Sequence, residues 1–292
     1  MNETVNELKD VVVIYHAHCI DGFAAAWVTH RKFGDVASYV PLKRGEGIPV
    51  GLEGKEIYVV DYAWDGELMF DLEKIVKKLV VIDHHESSEK SVRGLKEYCF
   101  DLNHSGAYLT FQYFFPDEKI PEFIKYISEM DIYKPVSKNV EKYFAYIRGR
   151  EKTFYEYYAL YELLETEKGK EKAIEVANEL EKYLKIILEP IIDGINFVEF
   201  EGYKIPAVNL CLPISERSEV LRLIYGMYPP VAMSYRYDEG QWKVSLRSDN
   251  NSNFDCAKLA ERYGGGGHKG SAGFAVSAKD FNLPFAKIIK EE

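Results

Sequence analysis

The feature that most constrains this chain is a run of four apolar residues, Leu79-Val80-Val81-Ile82, ending in Asp83-His84-His85. A β-branched run of this length reads as a strand buried on both faces, the kind found in the middle of a parallel α/β sheet. In such sheets ligands bind beyond the carboxyl ends of the strands. Asp83, His84 and His85 would therefore offer oxygen and nitrogen donors where a ligand sits. Those donors suit a divalent metal, or an acid–base set for phosphate chemistry. Alone, the tripeptide also fits an ordinary strand-to-loop junction.

Two further stretches repeat the pattern. Residues 11–15 form a β-branched strand candidate that delivers His16-Ala17-His18-Cys19-Ile20-Asp21-Gly22, and a helix follows as far as Gly34. His16, His18 and Asp21 are all metal or acid–base types, and Asp21 also suits a helix cap. Residues 56–60 form another strand, after a plausible one at 36–40, and run into Asp61. The segment 66–78 reads as the helix that returns the chain to 79–82. With right-handed crossovers the three strand ends share one edge of the sheet.

Downstream, Ser105 and Gly106 open an apolar helix, a position suited either to a phosphate oxygen or to plain capping. Pro121 starts a helix with Phe123, Ile124, Ile127 and Met130 on one face. Asp131 falls near the end of that helix, where an acid opposes the helix dipole, so it is a candidate ligand. From about 153 to 196 the periodicity is helical, read as a spacer and hinge that Pro190 should kink or end. The last ~90 residues turn to β-hairpins and read as a second, smaller domain. Near their end comes Gly264-Gly265-Gly266-Gly267-His268-Lys269, read as an anion-binding loop, with Arg247 on a neighbouring strand as a bidentate phosphate fork.

Composition narrows the function classes. The 292 residues carry a net charge of −10, which argues against a broad grip on long duplex DNA. The start, Met1-Asn2-Glu3-Thr4, shows no signal-peptide pattern, and no apolar run reaches the about 20 residues of a spanning helix. Cys19, Cys99, Cys211 and Cys256 form no CxxC pair and suit a reducing compartment. The expectation is a cytoplasmic protein that does not engage membranes. A homodimer is left open, and no stretch stands out as its interface.

Taken together, Asp83-His84-His85, Asp61, the His16 to Gly22 loop and Gly265-Gly266-Gly267-His268 resemble the DHH phosphoesterase superfamily. The closest resemblance is to members with a DHHA1 domain, such as oligoribonucleases and cyclic-dinucleotide phosphodiesterases. It implies an α/β chain with a parallel-sheet DHH domain over 1–190, helical from about 150, and a smaller α/β DHHA1 domain over 197–292. It implies a Mn²⁺-dependent two-metal phosphoesterase, with Mg²⁺ or Co²⁺ as substitutes, acting on short oligonucleotides or dinucleotides in the cleft between the domains. By position, His16, Asp21, Asp61, His84 and Asp131 would bind metal. His85 would face the phosphate and Asp83 would orient the histidines. Ser105 and Gly106 would shape the substrate site, and Arg247, Gly266, Gly267 and His268 would grip the substrate. Cys19 stands where many members carry an aspartate. A thiolate there would disfavour Mg²⁺, and a buried, inert thiol would leave one metal with fewer ligands. Two alternatives stay open: a phosphomonoesterase acting on 3′-phosphoadenosine phosphate or polyphosphate, and a nucleotide-binding regulatory module without activity.

Overall fold

A computed structural model describes residues 8–64, 66–132, 134–212, 214–249 and 252–279, without the side chains of 214–216. The chain divides into two compact units, Met1–Glu181 and Lys182–Glu292. The first unit begins with β1 (Val11–His16), α1 (Ile20–Phe33), β2 (Ala37–Leu42), β3 (Glu56–Val60), α2 (Gly66–Ile75) and β4 (Lys78–Asp83). It continues through α3 (Glu89–Val92), β5 (Tyr98–Phe100), α4 (Gly106–Phe114), α5 (Glu122–Asp131), α6 (Val140–Arg148) and α7 (Phe154–Leu164).

The five strands are all parallel, in the order β2-β1-β3-β4-β5. Their β-branched runs follow from burial on both faces. Val13, Val60, Val80 and Ile82 pack with Trp27, Phe111 and Phe123 on one side. Val12, Ile14, Val59 and Val81 pack with Met69 and Leu72 on the other. The chain leaves β1 toward one flank and returns to β3 on the other, so the β1/β3 junction is the switch point where this topology opens a crevice.

The helical stretch read as a spacer is in part core. Tyr157, Leu160 and Leu164 of α7 are buried in the first unit, and Phe154 stacks on Phe23 at a centroid distance of 5.4 Å. Periodicity shows that one face is covered but not by what, and here α7 covers α1. The next helix, α8 (Glu167–Asp193), crosses the division between the units and runs through Pro190. Pro190 lies in the last turn, so its missing N–H removes a single bond just before the helix stops.

The second unit contains β6 (Asn196–Phe200), β7 (Tyr203–Asn209), α9 (Ile214–Met227), β8 (Val231–Asp238), β9 (Gln241–Ser248), α10 (Cys256–Glu261), β10 (Gly266–His268) and β11 (Ser271–Ser277). These make one six-stranded sheet, β10-β11-β9-β8-β7-β6, antiparallel except for the β7–β8 pair. One face packs with Leu259 and Ala260 of α10, the other with Val220, Leu221 and Ile224 of α9.

The glycine run, expected as an anion-binding loop, is in part a strand, because Gly266 to His268 pair with Ser271 to Gly273. Steric need explains two of the glycines. A Cβ on Gly265 would stand 2.2 Å from the Gly273 carbonyl, and one on Gly267 would stand 2.4 Å from that of Ser271. Gly266 faces open space, and His268 is exposed.

Candidate metal centre

Three strand ends converge at the switch point. His16 closes β1, Asp61 follows β3 directly, and Asp83 closes β4 with His84 and His85 beyond it. Asp61 has φ +54°, a left-handed conformation uncommon outside glycine. Its N–H still bonds the Ile82 carbonyl at 2.9 Å, so β4 fixes the backbone at the bend. Strained backbone held this firmly is characteristic of functional positions.

Two groups of donor atoms gather around Asp61. One combines His16, Asp61 and His85, the other Asp21, Asp61 and His84, each with its donor atoms within 4.8 Å of one another. His16 Nδ1 lies 3.5 Å from Asp61 Oδ2, and His84 Nε2 lies 3.2 Å from Asp61 Oδ1. Asp131, at the end of α5, joins through its Oδ2, 3.3 Å from His84 Nε2. Thus His16, Asp21, Asp61, His84 and Asp131 are brought together. His85 stands among the donors as well as beside Asp83.

The electrostatics of the cluster ask for a cation. Asp21 and Asp61 are each 1% exposed, yet among the described residues Asp21 Oδ2 and both Asp61 oxygens accept no hydrogen bond. Buried carboxylate oxygens without donors are costly unless a cation meets them. Burial, then the charges of Asp61 and Asp131, push the Asp21 carboxyl well above its ordinary range. Burial and Asp61 push Asp131 up to about 6. For Asp61 burial is opposed and outweighed by the histidines, chiefly His16 and His84, which hold it below the usual carboxylate range. The oxygen and nitrogen donor set and the orphaned oxygens fit one or two divalent ions.

Second-layer contacts fix the donors. Asp83 is fully buried, its Oδ1 is 2.7 Å from His85 Nδ1, and Ser88 Oγ donates to its other oxygen. An Nδ1–H engaged this way leaves Nε2 as the lone-pair nitrogen. Ser88 carried no signal in the sequence, being one of two consecutive serines in a loop. Ser88→Ala is expected to loosen His85 and lower turnover by about 10-fold, measured as kcat at unchanged metal content.

Ser105 and Gly106, expected to shape the substrate site, pack directly against the donor carboxylates. Ser105 is fully buried, donates from Oγ to Asp21 Oδ1 at 2.6 Å, and so serves the metal-type carboxylate. The Ala107 N–H reaches the same oxygen at 3.1 Å. Gly106 lies against Asp61, where an added Cβ would stand 2.6 Å from the Asp61 Cβ and 2.8 Å from its Cα. Gly22 lies on the opposite side, where a Cβ would stand 2.3 Å from the His16 carbonyl. Gly106→Ala is expected to displace Asp61 and to cost about 1–3 kcal/mol of stability, read by urea unfolding, with weakened Mn²⁺ binding by titration.

His18 and Cys19 stand apart from the donors. His18 is exposed with φ +60°, and it lines a cavity of about 420 Å³ with Tyr15, Cys19, Phe23, Lys43 and Lys152. The Cys19 sulfur is in neither donor group. Burial, with Asp61, Asp21 and Asp131 nearby, pushes its thiol well above the ordinary value. A second cavity of about 330 Å³ opens along Asp61, Asp83, His85, Ser88, Tyr62 and Arg44. In the second unit, Arg247 reaches Ser218 Oγ with Nη2 at 2.8 Å.

Residues 220–291 match the family described as the DHHA1 domain. The chain is 28% identical over 311 residues to an uncharacterized protein of Acanthamoeba polyphaga mimivirus, covering 98% of this chain and 72% of that protein. Its fold is similar to that of a pGpG-specific phosphodiesterase from Vibrio cholerae, with a TM-score of 0.54, 14% identity and coverage of 92% and 94% of the two chains. It is also similar to that of an exopolyphosphatase-related protein from Bacteroides fragilis, with a TM-score of 0.52, 15% identity and coverage of 90% and 86%. The DHHA1 match over residues 220–291 thus stands in a chain whose first unit is a parallel sheet with Asp83-His84-His85 at a strand end, the combination in which the sequence resembles the DHH phosphoesterase superfamily.

Proposed function

We propose that the chain is a Mn²⁺-dependent phosphoesterase that cleaves phosphodiester bonds in short oligonucleotides or in linear or cyclic dinucleotides. The observation that carries this reading is the pair of donor groups sharing Asp61, with carboxylate oxygens that no hydrogen bond satisfies among the described residues. His16, Asp21, Asp61, His84 and Asp131 would hold the metal, and the mix of imidazole and carboxylate fits Mn²⁺ better than Mg²⁺. Divalent ions bound there would polarise the phosphoryl group and supply hydroxide from water near neutral pH.

The chain's own residues set the rest of the chemistry. Asp83 holds His85 so that, when the ring carries both protons, Nε2–H would donate to a phosphoryl oxygen or pass its proton to the leaving oxygen. Lys43 and Lys152 line the first cavity and Arg44 the second, with Glu46 in both, so cationic side chains are available to an anionic substrate near an acidic site. Arg247, Gly266, Gly267 and His268 of the second unit are the proposed substrate grip. The four cysteines are unpaired, in keeping with a cytoplasmic setting, and no described helix is long and apolar enough to cross a membrane.

The test is a side-by-side assay with Mn²⁺ against a linear dinucleotide, a cyclic dinucleotide, 3′-phosphoadenosine phosphate and polyphosphate. Release of mononucleotides from either dinucleotide is the expected result. Turnover of only the last two would transfer the site to phosphomonoester or polyphosphate chemistry, and no turnover would remove the enzymatic reading.

A further inference from the structure

The cavity of about 420 Å³ in the first unit is walled by the loop that follows β1. Tyr15 comes directly before the donor His16, and Cys19 stands two positions before the donor Asp21. Cavity wall and donor loop are therefore one stretch of chain, and a group held by His16 and Asp21 has this space within reach. The volume falls in the range of about 300–1,000 Å³ common to small-molecule sites.

Its lining has two halves. One is aromatic: Phe23 stacks on Phe154 at 5.4 Å and meets Tyr157 edge-on at 4.8 Å and Tyr15 at 5.9 Å. Those contacts fix the Phe23 ring before a ligand arrives, and a rigid surface binds at little ordering cost. The other half is polar. Tyr15 is half-buried, and among the described residues its hydroxyl makes no hydrogen bond. Lys43 and Lys152 are exposed, and among the described residues neither ammonium group has an ion pair. Glu46 is the one carboxylate of the lining, and it accepts the Lys43 backbone N–H at 2.9 Å. Two ammonium groups against one carboxylate disfavour a cation as occupant. A flat ring with acceptor atoms on its edge suits both halves, since phenol and ammonium donors pair with ring nitrogens and carbonyl oxygens.

We propose that this cavity takes the nucleoside on one side of the scissile phosphate, with its base against Phe23 and Tyr15 and the acceptor edge of the base toward Lys43 and Lys152. Every base has a π-face and edge acceptors, so the cavity holds nucleosides without selecting one base. The proposal rests on the phosphodiester reading above and narrows it. A diester that carries a small alkyl group in place of that nucleoside leaves the aromatic floor bare, and polyphosphate has nothing to set on it.

The test uses the full chain freed of metal with EDTA, so that nothing turns over. Isothermal titration compares a linear dinucleotide with two truncated diesters, a nucleoside 5′-(methyl phosphate) and a nucleoside 3′-(methyl phosphate). Tyr15→Leu, which removes the ring, is expected to weaken the dinucleotide and one of the methyl diesters by about 10-fold. The other methyl diester, which lacks the nucleoside of the cavity, should change by less than about twofold. Lys152→Gln, on the surface of a protein that still folds, should show the same selectivity with a loss of about threefold. Equal weakening of all three ligands, no weakening of any, or no binding to the parent chain would overturn the subsite. Hydrolysis of the dinucleotide with Mn²⁺ is read separately. Turnover without selective weakening removes the subsite alone, and selective weakening without turnover removes the enzymatic reading alone.

Discussion

Asp61→Asn is expected to abolish metal-dependent hydrolysis, by at least about 10³-fold, while leaving the protein folded. Removing one preorganised donor at a reacting centre commonly costs about 10²–10³-fold, and Asp61 is shared by both donor groups. Asparagine is the apt replacement because it has the same shape and tolerates the left-handed backbone at φ +54°, where alanine is strained. The charge balance predicts where the effect falls. The Asp61 carboxylate raises the proton affinity of both Asp21 and Asp131, so its loss relieves repulsion inside the unliganded site. The melting temperature of the EDTA-treated variant should therefore equal or exceed that of the parent. Its rise on adding Mn²⁺ should vanish. Calorimetry with and without Mn²⁺, beside a turnover assay, reads both halves. Retained activity would remove Asp61 from the centre.

The strands of the first unit were legible because burial on both faces demands runs such as Leu79 to Ile82, and few other patterns resemble them. The donor set followed from the ends of those strands, since a parallel sheet puts all its carboxyl ends on one edge. What sequence could not show was which neighbours crowd the site. Gly106 reads as the second residue of an ordinary capped helix start, yet its lack of a side chain is what lets α4 lie against Asp61. Ser105 reads as a plain cap or a phosphate contact, and its tie to Asp21 spans 84 residues of chain. Four successive glycines suggest an open loop, whereas two of them are small because β11 passes too close for a Cβ.

Without metal, the protein should lose stability as pH rises from about 5 to 8, and Mn²⁺ should reverse that trend. Asp131 has its pKa raised from 3.8 to about 6, and Asp21 is raised in the same direction by burial and its carboxylate neighbours. Groups of this kind bind protons more tightly in the folded state, so folding is favoured at low pH and weakened as each is forced to ionise. His84 acts the same way. Burial lowers its pKa, but Asp61 and then Asp131 outweigh it and raise the value above 6.5. The stability from its charge is therefore present below 6.5 and is lost as pH climbs through the raised value. Asp61 has the opposite sign, but its contribution changes only below its ordinary 3.8. Glu122, lowered to about 2 against burial by Lys125 and Lys119, likewise acts only below 4.5. Between pH 5 and 8 the centre thus pushes one way. A divalent ion competes with those protons, so the melting-temperature gain from Mn²⁺ should grow with pH and be several degrees larger at pH 8 than at pH 5. Scanning calorimetry in EDTA and in Mn²⁺ at both values measures it. A metal-induced gain independent of pH would show that these carboxylates and His84 do not bind the ion.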